Sequence, residues 1–252
     1  MFKNLNYVLT SMLGVITGTG LYQLGKLKDV VRVDTPYGAV KVNKAKLHDE
    51  EFYYIARHGE GHTIPPHKIN YRANVAALKK LGVDGVISIF SAGIISGGYK
   101  PGDFVLLEDF IGFNAPITFY DDFALGIRHT DFSVVNTKNF VKAVDESAFA
   151  NKIKLKKGGI IATTVGPRYE TKAEVEAIKK MGANLVDMTS AYEMTLVNEI
   201  EIEYCPLAIA ANYACGITNK PLRNSEVLKL LKDVKLPVEG LIHGVLDYVN
   251  EE

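Results

Sequence analysis

Cysteine is almost absent from this chain: Cys205 and Cys215 are the only two in 252 residues. Two thiols set so far apart, outside any Cys/His cluster, suggest neither a disulfide framework nor a metal site. They read as small core residues of a protein kept in a reducing compartment. An excess of either charge is missing too. With 29 basic against 29 acidic side chains, nothing calls for a polyanion-binding surface or an acidic tail, so nucleic acid is not expected as a main partner. Long hydrophobic runs are also lacking. Residues 5–16, behind Lys3, are fairly apolar but too short to span a bilayer, and they pass into Gly18-Thr19-Gly20 without a small-residue cleavage site. The expectation is a soluble, cytoplasmic protein with no membrane partner. Linkers, repeats and low-complexity tracts are not seen either. A composition of 47% apolar and 23% charged residues suits one substantial core, hence a single domain over residues 1–252.

What the chain does contain is a succession of strands and helices. Residues 8–16 mix β-branched and apolar side chains and end in Thr17-Gly18-Thr19-Gly20, a strand entering a tight turn. A dinucleotide fingerprint needs a third glycine where Gln23 stands, so the turn is read more narrowly. Its glycines let backbone approach an anion, with the Thr19 hydroxyl between them. Residues 30–33 and 38–42 flank the turn Asp34-Thr35-Pro36-Tyr37 and predict a hairpin. Further strands are expected over 52–56, 83–90, 104–107 and 159–165. Helical spacing marks 71–81, 137–150 and a C-terminal segment carrying Val238, Leu241, Ile242, Val245, Leu246 and Val249. Thr171 and Glu174 form a capping-box pattern for a helix expected to bury Ala177, Ile178 and Met181. Ser190 and Glu193 repeat that pattern, which gives Glu193 the role of a helix N-terminal carboxylate. Residues 110–133 are aromatic and irregular, and Phe113, Phe119, Tyr120, Phe123 and Phe132 read as core or subunit-contact residues. The fold class is α/β, one domain with a mixed sheet and flanking helices.

Polar side chains collect where the apolar segments stop. Strand ends in α/β proteins gather ligands because freed backbone groups and helix N-termini converge there. Residues 52–56 stop at Arg57-His58-Gly59-Glu60-Gly61-His62, where a planar guanidinium and two imidazoles suit phosphate or carboxylate. Residues 83–90 stop at Ser91-Ala92-Gly93, a small hydroxyl with open amides. Residues 185–217 hold two more such ends, Asp187-Met188-Thr189 and Asn212-Tyr213-Ala214-Cys215-Gly216.

Taken in order, Gly18-Thr19-Gly20-Leu21, residues 57–74 beginning Arg57-His58-Gly59, Ser91-Ala92-Gly93, Gly166-Pro167-Arg168-Tyr169-Glu170-Thr171 and Asp187-Met188-Thr189 resemble the trimeric purine nucleoside phosphorylase and methylthioadenosine phosphorylase family. The likeness runs from about residue 13 to the end. It implies a mixed, partly barrel-like sheet surrounded by helices, a homotrimer or dimer of trimers, and no metal or organic cofactor, orthophosphate being a co-substrate. It implies attack of phosphate on a purine nucleoside, giving free base and ribose 1-phosphate or its 5-methylthio counterpart. On the same resemblance Thr19, Arg57, His58, Ser91, the Ala92 backbone and Thr189 match the phosphate site. Met188 matches the ribose contact, Tyr169, Glu170 and Asn212 line the base, and His129 reaches the 5′ end of a nucleoside in a neighbouring subunit. Arg57, His58 and Asn212 are the expected catalytic residues.

This chain departs from the methylthioadenosine pattern at three base-site positions. That class generally has aspartate where Asn212 and Ala214 stand, and a small hydroxyl residue in place of Glu170. At the 5′ pocket Leu228 suits a methylthio group, while Asn224 replaces an apolar residue. An ionised Glu170 accepts from the N1–H of a 6-oxopurine but faces a lone pair in adenine, and the Asn212 amide can donate to N7 or O6. The expectation is preference for inosine, guanosine or methylthioinosine. A methylthioadenosine phosphorylase and a non-catalytic nucleoside- or phosphate-binding protein are the alternatives; a nucleoside hydrolase would need an aspartate cluster that is missing.

Overall fold

The computed structural model describes residues 12–122 and 126–251, with side chains as far as 248. Nine strands form one sheet. In chain order they are β1 (Leu13–Thr17), β2 (Lys26–Thr35), β3 (Gly38–Leu47), β4 (Glu50–Ala56), β5 (Gly85–Ile94), β6 (Phe104–Ile111), β7 (Leu155–Thr163), β8 (Leu185–Asp187) and β9 (Glu203–Tyr213). The helices are α1 (Tyr71–Lys80), α2 (Lys138–Ala150), α3 (Lys172–Lys180), α4 (Ser190–Glu199), α5 (Asn224–Asp233) and α6 (Lys235–Glu251).

Strand order is β2-β3-β4-β1-β5-β8-β7-β6-β9, and β9 returns to pair with β5. Five strands therefore close into a ring, and β1, β4, β3 and β2 continue from β5 as an open wing. The ring has an apolar filling to which every member contributes: Phe90, Ala92 and Ile94 from β5, Val105 and Leu107 from β6, Ile161 from β7, Leu185 from β8, Ala208 and Ala210 from β9. On β5 and β9 the alternate residues Ile87, Ile89, Cys205, Leu207 and Ile209 face a second apolar body, built with Phe140, Val144, Leu231, Val238, Leu241 and Val245 of α2, α5 and α6. The period-two alternation of a strand buried on both faces is what produces these two bodies.

One irregularity of this sheet positions the site. β1 pairs with β5 only as far as Ile16↔Ser88, and β8 takes over the same edge at Gly93↔Val186. Between those points the edge of β5 forks. On its other edge β9 carries one extra residue, Ala211, between Ala92↔Ala210 and Gly93↔Asn212. Such a bulge re-aims the side chains beyond it.

Most expected elements are present, several longer than expected. The first strand is Leu13–Thr17, and the rest of residues 8–16 lies partly outside the described residues, as does Phe123. Ser91-Ala92-Gly93 does not follow a strand end; pairing with β9 carries β5 through it to Ile94. Helix α3 has the expected capping box of Thr171 and Glu174 but buries Val175 and Ile178, leaving Ala177 and Met181 outside, because starting the helix at residue 172 turns 175 and 178 toward the sheet. Ser190 and Glu193 do not form a capping box. The N-cap of α4 is Thr189, the Ser190 hydroxyl turns back to Asp187, and Glu193 is drawn inward by Arg57. In the aromatic stretch, Phe119 packs on Tyr37 and Tyr120 donates to the Glu199 carbonyl, whereas Phe113 is 85% exposed.

Candidate active site

A cavity of about 380 Å³ opens beside the fork in β5, within the size range of small-molecule sites. Its wall comes from many chain segments at once: Thr19 after β1, Arg57 and His58 after β4, Ser91 and Gly93 on β5, Met188 and Thr189 after β8, Asn212 and Ala214 at the end of β9, and Tyr169 and Glu170 before α3. Of the residues expected at the site from the sequence, these and Asn224 line it. Two do not. Ala92 is buried between Ser91 and Gly93, with only those two reaching the wall. Leu228 is turned aside, because α5 presents Asn224 and Val227, three residues apart on one face, and Val227 with Leu222 supplies the apolar wall instead. His129, expected at a neighbouring subunit's pocket and not at this one, is exposed on the surface of this chain.

Arg57 is the most constrained member. Only 2% exposed, it donates through Nε to Glu193 Oε1 at 2.5 Å and through Nη2 to Oε2 at 2.9 Å. Nη2 also reaches the Ile16 carbonyl (3.2 Å), and Nη1 reaches the Ile89 carbonyl (2.8 Å), which lies in the fork where β5 has lost β1. The guanidinium lies over the Phe90 ring at 4.7 Å. Burial works against its charge, but the Glu193 carboxylate outweighs this and holds the group above its ordinary pKa. Gly18 completes the notch, since a Cβ there would collide with Nη1. Four of the five N–H groups are spoken for by these contacts, leaving one on Nη1.

His58 contributes differently. Its Nδ1 lies 2.9 Å from the Ile64 carbonyl, which fixes that nitrogen as the donor and leaves Nε2 as the free one. Burial and then the neighbouring Arg57 push its pKa down to about 4. His62 stacks on it at 4.3 Å and is itself 2.9 Å from the Tyr22 hydroxyl.

Thr189 is held by Asp187, whose carboxylate accepts from Thr189 N and Oγ1, from Ser190 N and Oγ, and from Thr163 Oγ1 at 2.7–3.0 Å. Burial raises the Asp187 pKa, with the hydroxyls opposing. Five donors around one carboxylate fix the start of α4, and with it the placement of Met188 and Thr189. Gly166, at φ +66°, is needed here: a Cβ would meet Met188 Sδ and Pro66.

At the other end of the cavity Glu170 is 6% exposed and accepts from Thr164 Oγ1 at 2.7 Å. It does not cap α3, because Glu174 does so, accepting from Thr171 N at 2.7 Å and pairing with Arg168. Its carboxylate therefore keeps acceptor capacity for a ligand. Asn212 Nδ2 donates to the Tyr213 carbonyl at 2.9 Å, which leaves a second N–H and the amide oxygen.

The cavity thus brings together hydroxyls, a guanidinium with one N–H left over, an imidazole, a carboxylate acceptor, an amide and the Met188 side chain. From the sequence, His62 reads as the second imidazole of the Arg57–His62 motif, Asp187 only as part of Asp187-Met188-Thr189, and Glu193 as a helix-start carboxylate. Sequence reasoning misses their roles in holding His58, Thr189 and Arg57, and for Glu193 no local signal could have shown it.

The same arrangement of chain is found in known proteins. "Probable 6-oxopurine nucleoside phosphorylase" of Moorella thermoacetica is 39% identical over 87% of this chain and 86% of its own. "Probable S-methyl-5'-thioinosine phosphorylase" of Methanopyrus kandleri is 38% identical over 94% and 92%. Among solved structures, methylthioadenosine phosphorylase from Schistosoma mansoni in complex with adenine superposes with a TM-score of 0.88 at 25% identity, over 96% of this chain and 93% of that one. The family model described as the phosphorylase superfamily matches residues 12–246, and the chain belongs to that family.

Proposed function

We propose that the protein catalyses phosphorolysis of purine nucleosides and favours 6-oxopurines: orthophosphate attacks C1′ of the sugar and the purine leaves. Orthophosphate sits at the Thr19, Arg57, His58, Ser91 and Thr189 end, where hydroxyls and one arginine N–H hold it without covalent chemistry. The sugar lies against Met188. As the glycosidic bond breaks, negative charge moves onto the purine, and an amide N–H from Asn212 directed at N7 stabilises it. The reaction takes orthophosphate as co-substrate and needs no metal or organic cofactor.

The observation that carries the base preference is Glu170, a buried carboxylate released from helix capping by Glu174. Ionised, it accepts the N1–H of hypoxanthine or guanine; against adenine it meets a lone pair, and an unpaired buried polar group costs about 1–3 kcal/mol. At the sugar 5′ end Leu222 and Val227 make an apolar wall, which supports a 5′-methylthio substrate as well, so methylthioinosine belongs with inosine and guanosine. The protein acts as a homo-oligomer, a trimer or dimer of trimers, in purine salvage in the cytoplasm, with His129 reaching a neighbour's pocket.

Phosphate-dependent release of base from inosine, guanosine, methylthioinosine and methylthioadenosine tests this reading. Higher kcat/KM on the three 6-oxopurines is expected. Preference for methylthioadenosine would return the protein to the 6-amino class, and binding without release from any of the four would make it a non-catalytic nucleoside-binding protein.

A further inference from the structure

Glu193 does not line the cavity, yet it takes two of the five N–H groups of Arg57, and both side chains are 1% exposed. Two backbone carbonyls and the Gly18 notch already fix where the guanidinium sits. The carboxylate therefore does something beyond placement: it cancels the charge of the cation that borders the anion end of the cavity.

We propose that Glu193 is a positioning and charge-balancing residue for the reaction. It presents Arg57 to orthophosphate as a single directed N–H inside a neutral pair, so that phosphate is aligned but loosely held and remains a nucleophile. This rests on the phosphorolysis reading above. A free buried guanidinium facing a dianion would bind it more tightly in the ground state than in the transition state, where the attacking oxygen has passed part of its charge to C1′, and an interaction weakened on the way to the transition state lowers kcat. Division of labour follows from the geometry: Gly18 and the carbonyls of Ile16 and Ile89 set position, and Glu193 sets charge.

The two jobs separate experimentally. Glu193→Gln keeps the volume and removes the charge while offering Arg57 one acceptor in place of two, and Glu193→Asp keeps the charge and shortens the reach. Inorganic phosphate and sulfate binding to each purified full-length protein is measured by calorimetry, alongside kcat and the separate KM values for phosphate and nucleoside. Glu193→Gln is expected to bind both anions about tenfold more tightly or better, because a negative charge within several ångströms is removed in a poorly screened site. Its kcat falls, and its nucleoside KM stays near that of the parent. Glu193→Asp retains anion affinity close to the parent. A space-filling role for Glu193 predicts the opposite order, with the isosteric glutamine mild and the aspartate harsh, and that result overturns the proposal. So does a glutamine variant with unchanged or weaker anion affinity. Should Glu193→Gln fail to fold, the pair Arg57→Gln and Arg57→Gln/Glu193→Gln decides: removing the carboxylate from the Arg57→Gln background is expected to tighten phosphate binding about tenfold, because the same negative charge is lost from the same poorly screened site. Unchanged affinity between those two variants overturns the charge role of Glu193. Wild-type protein that binds no phosphate overturns the phosphorolysis reading together with this one, whereas wild-type binding with an unmoved glutamine variant overturns only the role of Glu193.

Discussion

At the scale of single residues, the cavity is assembled from side chains that separate chain segments deliver to one place. Arg57, His58, Thr19, Thr189, Glu170 and Asn212 stand at ends of apolar segments, and all six line the cavity. Glu193 was assigned to a helix start because its real partner is 136 residues away, and nothing local encodes an ion pair of that span. The same blindness affected Leu228, whose neighbour Val227 takes the wall position once α5 starts at Asn224. Glu170 provides the test that belongs to this scale. Glu170→Gln keeps the hydrogen bond from Thr164 within reach but offers a purine an amide in place of a carboxylate. The ratio of kcat/KM for inosine over adenosine is expected to fall by about tenfold to a hundredfold, matching about 1–3 kcal/mol for the polar mismatch relieved. A ratio that does not change removes Glu170 from base recognition.

Elements were legible where a local rule specifies them. The capping box at Thr171 and Glu174 starts α3 as expected, and the spacing of Phe140, Val144 and Ala148 makes α2 amphipathic. Where an element depends on its neighbours, local rules failed: β5 was expected to end at Phe90, and pairing with β9 carries it to Ile94. Nothing in residues 203–213 announces that Ala211 is the extra residue of a bulge. The cap of α3 yields an element-scale prediction. Thr171→Ala removes the acceptor for Glu174 N and is expected to cost about 0.5–2 kcal/mol in denaturant unfolding. Because Glu170 is held by Thr164 rather than by the cap, the inosine-to-adenosine ratio should stay within about twofold, below the ~0.5 kcal/mol scale of independent sites. A collapse of that ratio would show that the cap, and not Thr164, orients Glu170.

For the whole molecule, hydrophobic periodicity pointed to the α/β class, while the partly barrel-like closure of the sheet came only through the family resemblance, because no local pattern encodes which strands meet. β5 and β9 pair Ile87 with Cys205, a contact whose cost in loop closure only the complete ring repays. Stability of the whole chain also carries a pH signature from the site. His58 has its pKa depressed from 6.5 to about 4 on folding, chiefly by burial. The unfolded chain therefore binds the proton first, so the contribution of neutral His58 is fully present above pH 6.5 and is lost as pH falls through 4. That slope amounts to about 3 kcal/mol across the window. Urea unfolding of the wild type and of His58→Gln between pH 7 and pH 4 should show a shallower decline in the variant; parallel declines would mean that His58 titrates normally in the native state.

The fork in β5 has a further consequence. Residues 89–92 have β9 on one edge, but on the other β1 has stopped and β8 has not begun, and Arg57 covers only the Ile89 carbonyl. A bound oxyanion at Ser91 would act there as a detachable rung of the ladder, bridging the wing to the ring. The seam between the two halves of the sheet is then the place where substrate and fold share their hydrogen bonds. Occupancy should spread as slowed amide exchange along the ends of β1, β4 and β5, well beyond the atoms the anion touches, and raise resistance to unfolding by about 2.7 kcal/mol when phosphate is at a hundred times its dissociation constant. Slowing confined to Ser91 and its immediate neighbours would show instead that the β1–β5 ladder alone couples wing and ring.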